Sequence, residues 1–289
     1  MIETVLSLFP GVGLLEMPFI EAGYSVVRGP DLFHGGDMRS FRVSRGLYTG
    51  ILAGPPCQGF SSANEFRGDM THHSVINSLE MLAITVKTIE AAQPSWFLIE
   101  NVPSVPSVLI RDYKIQTVAV NDYEFGGDQI RWRKLQFGHR FELHLRLKRI
   151  NEGSPRRKRG RKPTAITTKP RSKDMTYADQ CRLQGLRKPI KLDGMTRTLK
   201  FRLIGNGVPL PIASAVCDAI KSLSGKICET DCVCGCGRVV RGGSHIHGSA
   251  TCRKRMQKNR ERSDADLFHA ANPVFSAFFS DLNNFKKKR

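Results

Sequence analysis

Residues 4–13, Thr-Val-Leu-Ser-Leu-Phe-Pro-Gly-Val-Gly (TVLSLFPGVG), set an apolar run against a proline and two glycines. The apolar part, residues 4–9, reads as a buried β-strand, and Gly11 and Gly13 then lead into a helix expected over residues 15–22. The same alternation continues along the chain. Residues 25–28, 50–53 (GILA) and 96–99 (WFLI) read as further strands, while residues 74–92 carry Val75, Leu79, Leu82, Val86 and Ile89 at helical spacing. Strands alternating with helices predict a doubly wound α/β fold, a mostly parallel sheet with helices on both faces. Residues 115–120, 133–137 and 141–147 read as strands with tighter connections, an antiparallel edge to that sheet. Order resumes over residues 175–186 and in a final apolar helix over about 209–223.

A chain of 289 residues can bury one sizeable core and still carry a small appendage. A net charge of +19 points to a polyanionic partner, and nucleic acid is a commoner one than an anionic membrane. The first residues, MIETVLSLF, have no basic stretch before the apolar run, so a secretory signal is not expected. No run approaches the roughly 18 uninterrupted apolar residues of a spanning helix, so no membrane association is expected either. The eight cysteines divide unevenly: Cys57, Cys181 and Cys217 are scattered through the body, while Cys228, Cys232, Cys234, Cys236 and Cys252 crowd the tail. Without a signal, clustered cysteines beside histidines read as a metal site in a reducing compartment rather than as disulfides. Between Arg156 and Lys173 the chain holds nine Lys or Arg and no acid, a solvated basic segment.

Three pieces carry chemistry. Gly11 and Gly13, between a strand and a helix, permit a tight turn and let backbone N–H groups approach a ligand at the sheet's carboxyl edge. Residues 54–64 (GPPCQGFSSAN) put Cys57 on a stiff turn after two prolines, again at that edge, with polar Gln58 and a polar loop beyond. Glu100 ends another buried strand and, beside Cys57, becomes a candidate acid.

These pieces resemble the DNA cytosine C5-methyltransferase family, and others follow in the family's order over residues 4–222. Gly36-Asp37-Met38 is similar to its adenine-contacting segment, Gln129-Ile130-Arg131-Trp132-Arg133 to its Q-x-R-x-R, residues 176–185 (TYADQCRLQG) to the stretch after its target-recognition region, and Gly205-Asn206-Gly207-Val208-Pro209 to its G-N-x-V-P. The resemblance implies the methyltransferase fold and transfer of a methyl group from S-adenosylmethionine to C5 of cytosine in double-stranded DNA, on a flipped-out base. It implies that Cys57 adds to C6 of the ring, that Glu100 holds N3 and the exocyclic amine, and that Arg133 contacts the cytosine carbonyl, with Gln58 and Asn101 completing the catalytic set. Arg131 is then a phosphate ligand. The cofactor set is Phe9, Gly11, Gly13, Asp31, Asp37, Pro55, Asn206 and Val208. Pro30 stands where the family has an acid for the ribose hydroxyls, and Asp31 is the candidate substitute.

The implied organisation is a catalytic domain over residues 1–147, a reduced target-recognition region over 148–198, a returning helix over 199–223, a zinc-binding basic module over 224–262, and an amphipathic helix with a basic tail over 263–289. DNA-backbone contacts are expected from Arg156, Arg157, Lys158, Arg159, Arg161 and Lys162, which position the enzyme but do not read bases, so the recognition sequence should be short or degenerate. Cys232, Cys234, Cys236 and Cys252 form the candidate structural zinc site, with Cys228, His245 or His247 as alternatives for the fourth ligand and free thiols as the other reading. The expected protein is a cytoplasmic monomer of a bacterial or phage-infected cell, serving restriction-modification or phage self-protection. The alternatives are an RNA cytosine methyltransferase, since some relatives act on tRNA, and a DNA-binding protein that keeps the scaffold without activity.

Overall fold

The computed structural model describes residues 3–151 and 174–223, and the backbone of two short strands, β7 (Glu229–Asp231) and β8 (Val239–Arg241), which pair antiparallel. The basic run at 156–162, the cysteines from Cys228 onward and the amphipathic helix and basic tail expected over 263–289 lie outside the described residues.

The body is a six-stranded sheet in the order β2-β1-β3-β4-β6-β5, built from β1 (Thr4–Leu8), β2 (Ser25–Arg28), β3 (Gly50–Ala53), β4 (Trp96–Asn101), β5 (Lys114–Asn121) and β6 (Trp132–His139). The first four strands are mutually parallel, and β6 runs antiparallel to both β4 and β5. The expected mixed sheet is therefore present, with its antiparallel edge. Every residue of β3 and β4 is buried, the signature of strands covered on both faces, which explains why GILA and WFLI are continuously apolar instead of alternating.

Two layers of helix supply that cover. On one face α2 (His73–Ala92) packs Val75, Leu79, Leu82, Val86 and Ile89 against Leu6, Leu8, Ile51, Phe97 and Ile99. On the other, α1 (Met17–Glu21) and α5 (Leu210–Lys221) pack Phe19, Ile212, Val216 and Ile220 against Val5, Leu52, Leu98, Leu135 and Phe137. By length and composition residues Arg197–Lys221 are apolar enough to cross a membrane. Here the stretch is interrupted at Gly207 and Pro209 and divides into α4 (Arg197–Asn206) and α5, with its apolar side in the core.

Three details differ from the sequence reading. The first helix is shorter than residues 15–22, because Glu16 and Met17 bond back to the Gly13 carbonyl in turns and the helix begins only at Met17, with Pro18 in its first turn. Residues 141–147 alternate in exposure like a strand but are not one. Leu145 exchanges its backbone hydrogen bonds with the Gln116 side chain (N to Oε1 2.7 Å, O from Nε2 3.1 Å), so an amide side chain stands in for a ladder neighbour. The helix expected over 199–223 is two helices, α4 and α5, parted at Gly207 and Pro209. With α3 (Tyr177–Leu183), α4 packs beside the body through Cys181, Leu186 and Ile204 against Leu14.

Candidate active site

The order of strands reverses at β1, whose neighbours are β2 on one side and β3 on the other. Such a switch point leaves a crevice at the strands' carboxyl ends. A cavity of about 410 Å³ lies there, walled by the turns after β1, β3 and β4 and by α4.

The turn after β1 is tightly wound. Phe9 itself adopts φ +56°, followed by Gly11 at +55° and Gly13 at +83°. A phenylalanine held left-handed at a strand end is strained, and it lines the cavity beside Gly11. Gly13 does not reach the cavity. Its φ of +83° is the left-handed conformation that favours glycine, and a Cβ there would meet the far end of the Arg28 side chain at 2.4 Å. Asp31 lines the cavity and braces it: Oδ2 accepts from Gly11 N at 2.9 Å and Oδ1 from Phe33 N at 2.7 Å. The connection to Asp37 is a single 3₁₀ turn, Leu32–His34, closed by Gly35. Asp37 also lines the cavity and pairs with Arg39 at 3.3 Å.

Cys57 follows β3 with φ −106° and ψ 3°, in the sparsely populated bridge region between helix and strand. The turn after it, Gln58–Phe60, is wedged against α2: a Cβ on Gly59 would lie 2.4 Å from Val75 Cα, and Gly59 N donates to Ser78 Oγ at 3.0 Å. Asn101 is buried and donates from Nδ2 to the Pro55 carbonyl at 3.2 Å, tying β4 to the cysteine turn. Gln58 is exposed at the cavity wall.

Glu100, 6 % exposed, pairs through Oε1 with Arg133 Nε at 2.6 Å. Burial pushes the Glu100 carboxyl above its ordinary range, against the pull of Arg133 and Arg131. Burial likewise pushes the Cys57 thiol up. Arg133 opposes this most strongly, the Glu100 carboxylate adds to it, and Arg131 opposes it further. The two groups are thus coupled, and protonating Glu100 removes a charge that disfavours the thiolate.

The alternation of Gln129, Arg131 and Arg133 along the approach to β6 has a structural explanation. Arg133 meets Glu100. Arg131, 5 % exposed, donates from Nη2 to the carbonyls of Gly205 (2.5 Å) and Gly207 (3.1 Å) at the end of α4. Gln129 donates to Leu183 O at 2.9 Å and to Gln184 Oε1 at 3.1 Å, and Gln184 in turn donates to Ile204 O at 2.6 Å. The sequence reading placed Arg131 on phosphate. In the structure its guanidinium is buried and holds the Gly205–Gly207 turn, which presents Asn206, Gly207 and Val208 to the cavity.

Residues 33–159 match the family model of C-5 cytosine-specific DNA methylases. That span contains Asp37, Cys57, Glu100, Asn101, Arg131 and Arg133. Over that stretch the chain is similar to C-5 cytosine-specific DNA methylases. The Type II methyltransferase M.MthTI of Methanothermobacter thermautotrophicus is 24% identical to it over 173 residues, 50% of this chain and 51% of that protein, so the match spans about half the length of the curated relative. Among solved structures, the Entamoeba histolytica methyltransferase EhMeth superposes with a TM-score of 0.56 at 14% identity, covering 77% of this chain and 98% of its own. The S. pombe Dnmt2 methyltransferase gives 0.52 at 12% identity, covering 77% and 99%. At these identities the likeness establishes the shared fold.

The cavity gathers Phe9, Gly11, Asp31, Asp37, Pro55, Asn206 and Val208 together with Cys57, Gln58, Glu100, Asn101 and Arg133. Gly13 and Arg131 stand outside it. Among the described residues no group of three or more His, Cys, Asp or Glu is placed to hold a metal ion. The sequence reading missed Asn77 and Met81 of α2 and Leu199, Arg202 and Leu203 of α4, all of which line the cavity. The α4 residues stand at helical spacing back from Asn206, a signal that was available once a helix was drawn there.

Proposed function

We propose that this protein methylates C5 of cytosine in DNA, with Cys57 as covalent nucleophile and S-adenosylmethionine as methyl donor. The observation that carries the reading is the meeting of Cys57, the buried Glu100–Arg133 pair and the Phe9–Gly11–Asp31 turn in one cavity. That cavity has a size ordinary for small-molecule sites, with the acids and the nucleophile together in its lining, and so fits the cofactor. Phe9 would stack on its adenine, Asp37 accept from the adenine amine, and Asp31 face the ribose. When bound, it supplies the electrophilic methyl group.

The protein's own residues make the cytosine reactive. C5 is a poor nucleophile until a thiolate adds at C6 and charge moves across the ring. Cys57 supplies the thiolate. Glu100, whose hold on a proton burial strengthens, takes one up as the base enters and donates it to N3 as that charge develops, its loss eased by the adjacent Arg133. Arg133 also faces the ring carbonyl. Loss of the C5 proton to water in the loop after Cys57 then releases the thiolate and the product. Such chemistry needs the base out of the duplex, in the cavity.

Glu100→Gln separates the two roles. Turnover falls by about 10²–10⁴-fold because no proton is available for N3. Yet the Cys57 thiol becomes more acidic, since the variant lacks the carboxylate that raises its pKa and releases Arg133, which lowers it. Alkylation of Cys57 by iodoacetamide, followed on its own peptide, should therefore move to lower pH. A shift to higher pH contradicts the coupling.

Transfer of label from S-[methyl-³H]adenosylmethionine to DNA and to RNA, with the product nucleoside identified, tests the whole reading. 5-Methylcytosine in DNA is the expected result. Label in RNA alone would reassign the substrate, and no transfer by a protein that binds cofactor would leave a DNA-binding scaffold. Sequencing the methylated DNA after bisulfite treatment would give the recognition sequence.

A further inference from the structure

The cavity has five charged lining residues: Asp31, Asp37, Glu100, Arg133 and Arg202. Four are committed. Asp31 accepts two backbone N–H groups, Asp37 pairs with Arg39, and Glu100 pairs with Arg133. Arg202 alone has no hydrogen-bond or ion-pair partner among the described residues. Its position is set by α4, where Leu199, Arg202, Leu203 and Asn206 recur at i, i+3, i+4 and i+7 and present one helix face to the cavity. The two other cations of α4 lie on aromatic rings, Arg197 over Phe201 at 5.1 Å and Lys200 over Tyr177 at 5.9 Å.

An amino-acid carboxylate in this cavity needs donors, and the turn after β1 offers only neutral backbone N–H groups, those of Val12, Leu14 and Leu15, with no cation. Gly11 N is taken by Asp31 and Gly13 N by the Pro10 carbonyl at 2.8 Å. The helix that follows is five residues long with a proline in its first turn, which removes another N–H. We propose that Arg202 is the counter-ion of the cofactor's amino-acid carboxylate, a role that rests on the S-adenosylmethionine reading above. A guanidinium suits it because its fork of N–H groups matches a carboxylate in two-point contact.

The test compares S-adenosylmethionine with decarboxylated S-adenosylmethionine, which keeps the nucleoside, the sulfonium and the amine and lacks only the carboxylate. Binding is measured by calorimetry on the full chain without DNA. The wild type should prefer the carboxylate-bearing ligand. Arg202→Gln should weaken that ligand by about 10- to 100-fold and leave the decarboxylated one unchanged, collapsing the preference. Arg202→Lys should keep part of it. An unchanged preference in Arg202→Gln overturns the proposal, as does an equal loss for both ligands. If the preference survives while the salt dependence of DNA binding becomes shallower, Arg202 serves a phosphate instead. A wild type that binds neither ligand overturns the cofactor reading, and this proposal with it.

Discussion

Cys57→Ala should abolish methyl transfer, with a loss on the order of 10⁴-fold or more, while the protein still folds and binds DNA. The size of the effect follows from the chemistry. Without addition at C6 no charge reaches C5, and no other described cysteine can substitute, because Cys181 and Cys217 are buried elsewhere in the body. Stability should scarcely move. Cys57 is only partly buried, and its turn is held by neighbours, through Gly59 against α2 and Asn101 on the Pro55 carbonyl. DNA affinity is dominated by phosphate contacts and should persist. Cys57→Ser should behave like the alanine variant, since a hydroxyl in this setting has no base positioned to activate it. Turnover of the alanine variant within tenfold of wild type would contradict the assignment.

Arg131→Ala should be the most destabilising change near the site, by about 3–5 kcal/mol, because it empties a buried site, leaves the Gly205 carbonyl without its donor and leaves the Gly207 carbonyl with Gln184 alone. In a domain of this size that corresponds to a fall in melting temperature of roughly 10 °C. The loss should extend to cofactor affinity, since the carbonyls belong to Gly205 and Gly207, whose turn presents Asn206 and Val208 to the cavity. Arg131→Lys should rescue little, because both bonds come from the terminal Nη2, a position that the shorter lysine side chain does not reach. The slope of DNA affinity against salt should stay as in the wild type, measured on folded protein at low temperature. A phosphate ligand would reduce that slope by about one charge.

That prediction marks where residue patterns stop being legible. Q-x-R-x-R declares that Gln129, Arg131 and Arg133 share a face, and they do. It says nothing of depth, and depth decides that Arg133 reaches the cavity while Arg131 is sealed beneath α3 and α4. The parallel strands were legible because burial on both faces demands unbroken apolar runs, as in GILA and WFLI. Residues 141–147 show the converse. Their alternation of exposure is that of a strand, but the neighbour that completes the ladder is the Gln116 side chain, which no local pattern announces. Helix α4 was not told apart from α5 within the helix expected over 199–223, for a related reason. It serves the cavity with Leu199, Arg202 and Leu203 and the core with Phe201 and Ile204, so no single apolar stripe emerges from RTLKFRLIGN.

The account turns on a covalent bond between Cys57 and the cytosine ring. DNA containing 5-fluorocytosine stops the reaction after methyl transfer, because fluorine cannot leave as the C5 proton does. Incubated with S-adenosylmethionine and such DNA, then denatured and digested, the protein should yield one modified peptide, with the nucleotide on Cys57. No adduct under conditions where ordinary DNA is methylated, or an adduct on any other residue, would contradict the account.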